Sequence, residues 1–189
     1  MQRNLLDRIK KASPVIEPHS VESRSLPNEG GMKTFIRFVE VKSLADLAWW
    51  RNTAEPAIRA LSDRSDREWR WDRIFWSTSL AGALRNPRIV KAVVDAADGT
   101  EVTVGVGVFL RCEVFLGNPA KTAAFTWRLS TLPHDLSHNL LAMESPKGVG
   151  RAMIEYVVRL AIHDGHGGRH WLHADRGGGH GSESGLTRS

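Results

Sequence analysis

Apolar positions in the last third of the chain recur with a helical period. Val149, Ala152, Met153, Tyr156, Val157, Leu160 and Ala161 fall at i, i+3, i+4, i+7, i+8, i+11 and i+12, which gathers them on one face of a long helix. Ile154, Val158 and Ile162 widen that face, as expected of a helix lying on a sheet, and Glu155 with Arg159 makes an i,i+4 pair on the polar side. Upstream the period changes to two. RIVKAVVDAADGTEVTVGVGVFLRCEVFLGN, from Arg88, reads as two antiparallel strands around an Asp98-Gly99 hairpin turn. In the second strand Val102, Val104, Val106, Val108 and Leu110 share one face, and Gly105 and Gly107 lie together on the other. Two side chains missing from one face predict a bulge or a neighbour packed very close to the backbone.

The remaining elements follow from shorter signals. TFIRFVEV, residues 34–41, is rich in strand formers. Ser43 with Asp46 three residues on opens SLADLAWWRNTAEPAIRALS in the manner of a capping box, so a helix is expected there, kinked or split by Pro56. A second helix is expected from Asp66, with Trp69, Trp76, Leu80 and Leu84 at helical spacing and Pro87 closing it. TAAFTWRLSTL suggests a further strand and HNLLAM, residues 138–143, a short apolar one. RHWLHAD, residues 169–175, reads as a last strand crossing over in parallel from HNLLAM. Residues 1–31, with three prolines and two glycines between 12 and 31, read as a flexible arm; 32–175 form the domain, and 176–189 a disordered tail.

A chain of 189 residues suffices for one domain and hence for one principal site. Hydrophobic residues at 41% and charged residues at 25% give the balance of a soluble globular protein. Neither a signal peptide nor a membrane span is apparent, so a cytoplasmic protein without membrane contact is expected. Cys112 is the only cysteine and sits in an apolar run, which points to a buried, unreactive thiol and excludes an internal disulfide. A net charge of +5 suits an anionic partner. Its Lys and Arg are scattered, with no helix-turn-helix, ribonucleoprotein or finger motif to organise them, so nucleic acid is not expected.

The long helix opens with SPKGVGRA, Ser145 to Ala152. A helix N-terminus presents unpaired N–H groups and partial positive charge, and glycines leave that backbone open to an anion. Gly148 and Gly150 either serve that purpose, with Lys147 and Arg151 adding charge, or merely shape the turn into the helix. A P-loop is excluded, because GxxxxGK with a following Ser or Thr is absent. The dinucleotide fingerprint is excluded by Met153 at the third glycine position.

LLAMESPKGVGRAMIEYVVRLAIHDGHGGRHWLHAD resembles the cofactor motif of the GNAT superfamily of N-acetyltransferases: strand, Q/R-x-x-G-x-G/A, helix, glycine turn, strand. The resemblance spans roughly residues 33–175, through the motif over 140–175 and through element order before it. It implies an α/β GNAT-like fold, with a mixed, mostly antiparallel sheet flanked by helices. It also implies acetyl-CoA or another acyl-CoA as co-substrate. The diphosphate would lie on the amides of Gly148, Val149, Gly150, Arg151 and Ala152 beside Lys147, and the pantetheine arm along a strand ending at Met143. An amine of a small molecule or protein would be the acceptor. Glu144, beside the motif, reads either as the base that takes the amine proton or as an exposed turn residue; Asp135, His134 and His138 are further candidates. Ser145 stands where Gln or Arg is usual, which implies an altered phosphate contact. The helix that in the family carries an Asn and an acidic Tyr does not follow LHAD, and Tyr156, the only tyrosine, belongs to the core face. A non-catalytic CoA-binding or interaction protein is therefore the alternative, and an uncovered sheet edge implies a homodimer.

Two clusters remain. His163, His166, His170 and His173 bridge a helix end, a turn and a strand without cysteines, so no metal site is expected. Trp49, Trp50, Trp69, Trp71 and Trp76 either pack the early helices on the sheet, or line an acceptor site as the resemblance implies.

Overall fold

A computed structural model of the chain describes residues 22–27, 33–80, 87–112, 118, 120–141 and 146–172. Among these, six strands form one sheet: β1 (Glu22–Pro27), β2 (Lys33–Glu40), β3 (Arg88–Asp95), β4 (Glu101–Cys112), β5 (Ala123–Thr131) and β6 (His170–Leu172), in that spatial order. Neighbours are antiparallel from β1 to β5, while β6 runs parallel to β5. The helices are α1 (Glu55–Arg59), α2 (Trp71–Leu80), α3 (His134–Leu141) and α4 (Val149–His163). The chain is thus an α/β protein with a mixed, mostly antiparallel sheet.

The β3–β4 hairpin carries the centre of the sheet. Gly99 turns it with a φ of 82°, and the Asp98 carboxylate accepts from the Thr100 N–H (2.9 Å) and hydroxyl (2.7 Å), which holds its pKa below the usual carboxylate value. Gly105 and Gly107 are where α4 comes closest. A Cβ on Gly105 would stand 2.8 Å from Met153 Sδ and 3.2 Å from Val149 Cγ1; one on Gly107 would meet Phe109 Cζ at 2.6 Å and Met153 Cε at 3.3 Å. The missing side chains let the helix sit against bare strand, so that Ala152, Met153 and Val157 are buried. Tyr156 stacks on Phe38 of β2 with ring centroids 4.7 Å apart, and burial raises its hydroxyl pKa.

The chain between β2 and β3 adds Leu47, Trp50, Ala54, Ile58, Trp71 and Ile74 to the core that the sheet and α4 share. Ser43 and Asp46 form the expected box: the Asp46 carboxylate accepts from the Lys42 (2.9 Å) and Ser43 (2.8 Å) amides. The helical run after it is split, into a 3₁₀ turn (Leu44–Leu47), a π turn (Trp50–Ala54) and α1, in whose first turn Pro56 sits. Proline has no N–H to continue the ladder of the preceding turn, and it sits where the run changes from π to α hydrogen bonding. Trp50 and Trp71 are fully buried and meet edge to face.

Five expectations are corrected. The segment read as an arm to residue 31 contributes β1, which pairs with β2 along its whole length; its polar ESRSLP suits an edge strand with proline at its end. Of HNLLAM, His138 to Leu141 belong to α3 and not to a strand, while Ala142 and Met143 lie outside the described residues; among these, β5 is the last strand before α4. The second early helix starts at Trp71 rather than Asp66 and buries Trp71, Ile74 and Thr78, leaving Trp76 and Leu80 exposed. Leu84 lies outside the described residues. Finally, Glu155 does not lie on the polar side of α4: it is buried, facing the packed side, and pairs with Arg151 (2.9 Å). The parallel crossover into β6 starts from β5 instead of HNLLAM.

Candidate functional site

The start of α4 is shaped by Gly148. Its φ of 79° and ψ of 22° are left-handed, a conformation that glycine adopts at little cost, and it turns the loop directly into the helix. The approach to it is tied down: the Lys147 N–H donates to Pro27 O of β1 at 2.9 Å. The first helical hydrogen bond is Ala152 N–H to Gly148 O, 2.9 Å, and no side chain caps the turn. The N–H groups of Val149, Gly150 and Arg151 precede that bond, so they remain for an acceptor from outside the helix.

In front of this turn lies a cavity of about 360 Å³. Its walls are Pro146 to Gly150 on one side, and Arg64 with Thr131 to His134 on the other. A Cβ on Gly150 would project toward Thr131 Cγ2 (3.6 Å) and Leu129 Cδ2 (4.0 Å), which are ordinary contact distances. Packing therefore does not require glycine there; its bareness keeps open the gap between α4 and the end of β5. Of the cavity's described lining residues, Arg64, His134 and Lys147 are basic and none is acidic.

Arg64 is held by a buried carboxylate. Its Nε and Nη2 donate to Asp66 Oδ1 (2.8 Å) and Oδ2 (2.6 Å), and Nη2 also reaches Thr131 O (2.9 Å). The Ser130 hydroxyl donates to the same Asp66 Oδ2. Two residues back on β5, Arg128 lies over the Trp69 ring at 4.5 Å.

β5 also supplies an irregular edge. On the β4 side its register slips between Arg128 and Thr126, so that Trp127 is an extra residue. On the β6 side pairs run only from Ala124↔His170 to Thr126↔Leu172. Among the described residues, nothing pairs with that edge from Trp127 to Ser130. Where the two strands do pair, His170 Nε2 and Thr126 Oγ1 are hydrogen bonded at 2.7 Å, and burial lowers the His170 pKa to about 4.

The predicted residues divide accordingly. Lys147, Gly148, Val149 and Gly150 line the cavity. Ala152 does not serve as an anion donor, because it is buried and its N–H is spent on Gly148. Arg151 places its guanidinium on Glu155, along the helix. Met143, Glu144 and Ser145 lie outside the described residues. His134 lines the cavity, whereas Asp135 and His138 are exposed and do not. Trp50 and Trp71 are core, Trp69 packs on Arg128, and Trp76 is exposed.

Among the described residues the histidines do not converge. His166 is buried against Thr122 Oγ1 (2.6 Å) and His163 faces Asp164 (3.1 Å). No three His, Cys, Asp or Glu side chains form a metal-binding group among the described residues. His173 and the Cys112 side chain lie outside them. Likewise, none of the described helices is long and apolar enough to cross a membrane. Sequence reasoning missed Pro27, Arg64 and Thr131, since only tertiary contact brings these to the turn.

No protein-family model, curated protein or solved structure matches the chain.

Proposed function

We propose that the protein is a GNAT-like, acyl-CoA-dependent N-acyltransferase that moves an acetyl group from acetyl-CoA to a primary amine of a small molecule or protein. The observation that carries this reading is the uncapped first turn of α4, entered through a left-handed Gly148 and opening on a basic cavity at the end of β5. The residues present fit a diphosphate: the Val149, Gly150 and Arg151 N–H groups are free to donate, Lys147 adds charge, and Gly150 leaves room. Among the described residues the β5 edge from Trp127 to Ser130 is unpaired, and it would offer backbone groups to an extended pantetheine arm.

Bound there, acyl-CoA supplies a thioester carbonyl. The amine nitrogen bonds to its carbon as the C–S bond breaks, and the proton lost from nitrogen ends on sulfur. Glu144, beside the motif, and His134, in the cavity wall, are the residues proposed to take that proton.

One observation favours a second reading, a CoA-binding protein without turnover. Tyr156, the only tyrosine, is packed on Phe38 and is not part of the cavity wall, so it does not serve as the acid that protonates the thiolate. Free-thiol release from acetyl-CoA, measured across a panel of primary amines, separates the two. Amine-dependent release that falls at least tenfold in Glu144→Gln or His134→Gln supports transfer; binding of acetyl-CoA without release supports the second reading.

A further inference from the structure

Arg64 is fixed before any ligand is considered. Its Nε and Nη2 are engaged by Asp66, at 2.8 and 2.6 Å, and Nη2 is further engaged by Thr131 O at 2.9 Å. Asp66 is 7% exposed, and Ser130, which donates to it, is 2% exposed. The two N–H groups of Nη1 have no partner among the described residues, and Arg64 forms part of the cavity wall facing Gly148 and Gly150.

Burying a carboxylate to hold a guanidinium is costly if the pair only links a loop to a strand, since an apolar contact of the same size does that as well. What the arrangement adds is a guanidinium locked in one rotamer with one nitrogen to spare, which suits oxyanion recognition. The surroundings agree. Both Asp66 oxygens are taken, and the other charged or titratable side chains of the cavity's described lining are His134 and Lys147.

We propose that Arg64 is an oxyanion ligand of this cavity, holding a phosphate group on Nη1 opposite the first turn of α4. The inference stands on the guanidinium and the cavity; that the phosphate belongs to the coenzyme rests on the function proposed above. The alternative source is a phosphate carried by the acceptor.

The test is titration calorimetry with inorganic diphosphate and with coenzyme A, on the full chain at low and moderate salt. It compares the wild type with Arg64→Lys and with the paired Arg64→Met, Asp66→Leu variant. The pair removes both charges, so it leaves no buried carboxylate unpaired, and circular dichroism checks the fold of each. Diphosphate affinity is expected to fall about tenfold or more in both variants, as for loss of a charge-assisted hydrogen bond. A parallel loss for coenzyme A assigns the phosphate to the cofactor. A diphosphate loss with coenzyme A unaffected supports Arg64 as ligand of an acceptor phosphate. A diphosphate loss in a protein that never binds coenzyme A supports Arg64 while removing the cofactor reading. Unchanged diphosphate affinity in folded variants, or no diphosphate binding by the wild type, overturns the proposal. In the first of those two cases, intact coenzyme A binding leaves the function standing.

Discussion

Replacing Gly105 by alanine puts a methyl group where α4 meets the sheet. The added Cβ would lie 2.8 Å from Met153 Sδ, 3.2 Å from Val149 Cγ1 and 3.3 Å from Ser130 O, against about 3.5–4.0 Å for an unstrained contact. Overpacking of this kind costs about 1–3 kcal/mol. Lower entropy of the unfolded chain returns about 0.4–1 kcal/mol, so a net loss of about 1–2 kcal/mol is expected. Met153→Ala alone is expected to cost about 2–5 kcal/mol through the space it leaves. In the double variant the new methyl enters that space and the 2.8 Å contact no longer exists. The double variant should therefore be more stable than the sum of the singles predicts, by about 1–2 kcal/mol. The assay is urea unfolding of all four proteins, with equal m-values confirming that the same structure is lost. Additivity to within about 0.5 kcal/mol would refute the reasoning, because residues not in contact do not couple. Val149 is both a neighbour of Gly105 and the first residue of α4, so Gly105→Ala should also weaken whatever binds at that turn.

Other outcomes follow from the same contacts. Gly150→Ala should stabilise the fold by about 0.5–1 kcal/mol, since its Cβ meets atoms no nearer than 3.6 Å and glycine within a helix is unfavourable. It should at the same time weaken acetyl-CoA binding, and loss of stability in urea unfolding would contradict the geometry. His170, with a folded pKa of about 4 against about 6.5 unfolded, refuses a proton that the unfolded chain accepts. Its contribution is present in full above pH of about 6.5 and is lost as pH falls toward 4, by at most about 3 kcal/mol. Stability measured across that window should fall less steeply in His170→Gln, and an identical slope would show that the ring is solvated.

Much of the frame was legible because period and composition agreed. α4 announced itself by thirteen residues of helical spacing from Val149 to Ala161, and the β3–β4 hairpin by alternation around Asp98-Gly99. The glycine pair of β4 pointed to a bulge or a close neighbour, and α4 is such a neighbour. HNLLAM misled because a short apolar run carries no period of its own; Leu136 and Leu140 share a helical face only once Pro133 and His134 are seen to open α3. β1 was hidden by its polarity, since an edge strand buries little. The second helix starts later than its spacing suggested, at Trp71, and Trp69 before it packs on Trp71 and on Arg128 of β5, a contact that local sequence does not show. For the site, the glycine turn was visible and its partners were not. Arg64 sits in a charged loop, DRSDRE, where nothing local distinguishes it from Arg67; only the contacts to Asp66 and Thr131 do.

The central claim is that an acyl-CoA diphosphate rests on the first turn of α4. Thermal unfolding of the wild type and of Gly150→Glu, each with and without acetyl-CoA at about 100 times its dissociation constant, tests it most directly. Such a ligand adds about 2.7 kcal/mol to the native state, which for a domain of this size raises the midpoint by about 5–10 °C. The account predicts that rise for the wild type and none for Gly150→Glu, whose carboxylate would face the phosphates. No rise in the wild type, or an equal rise in both proteins, would contradict it.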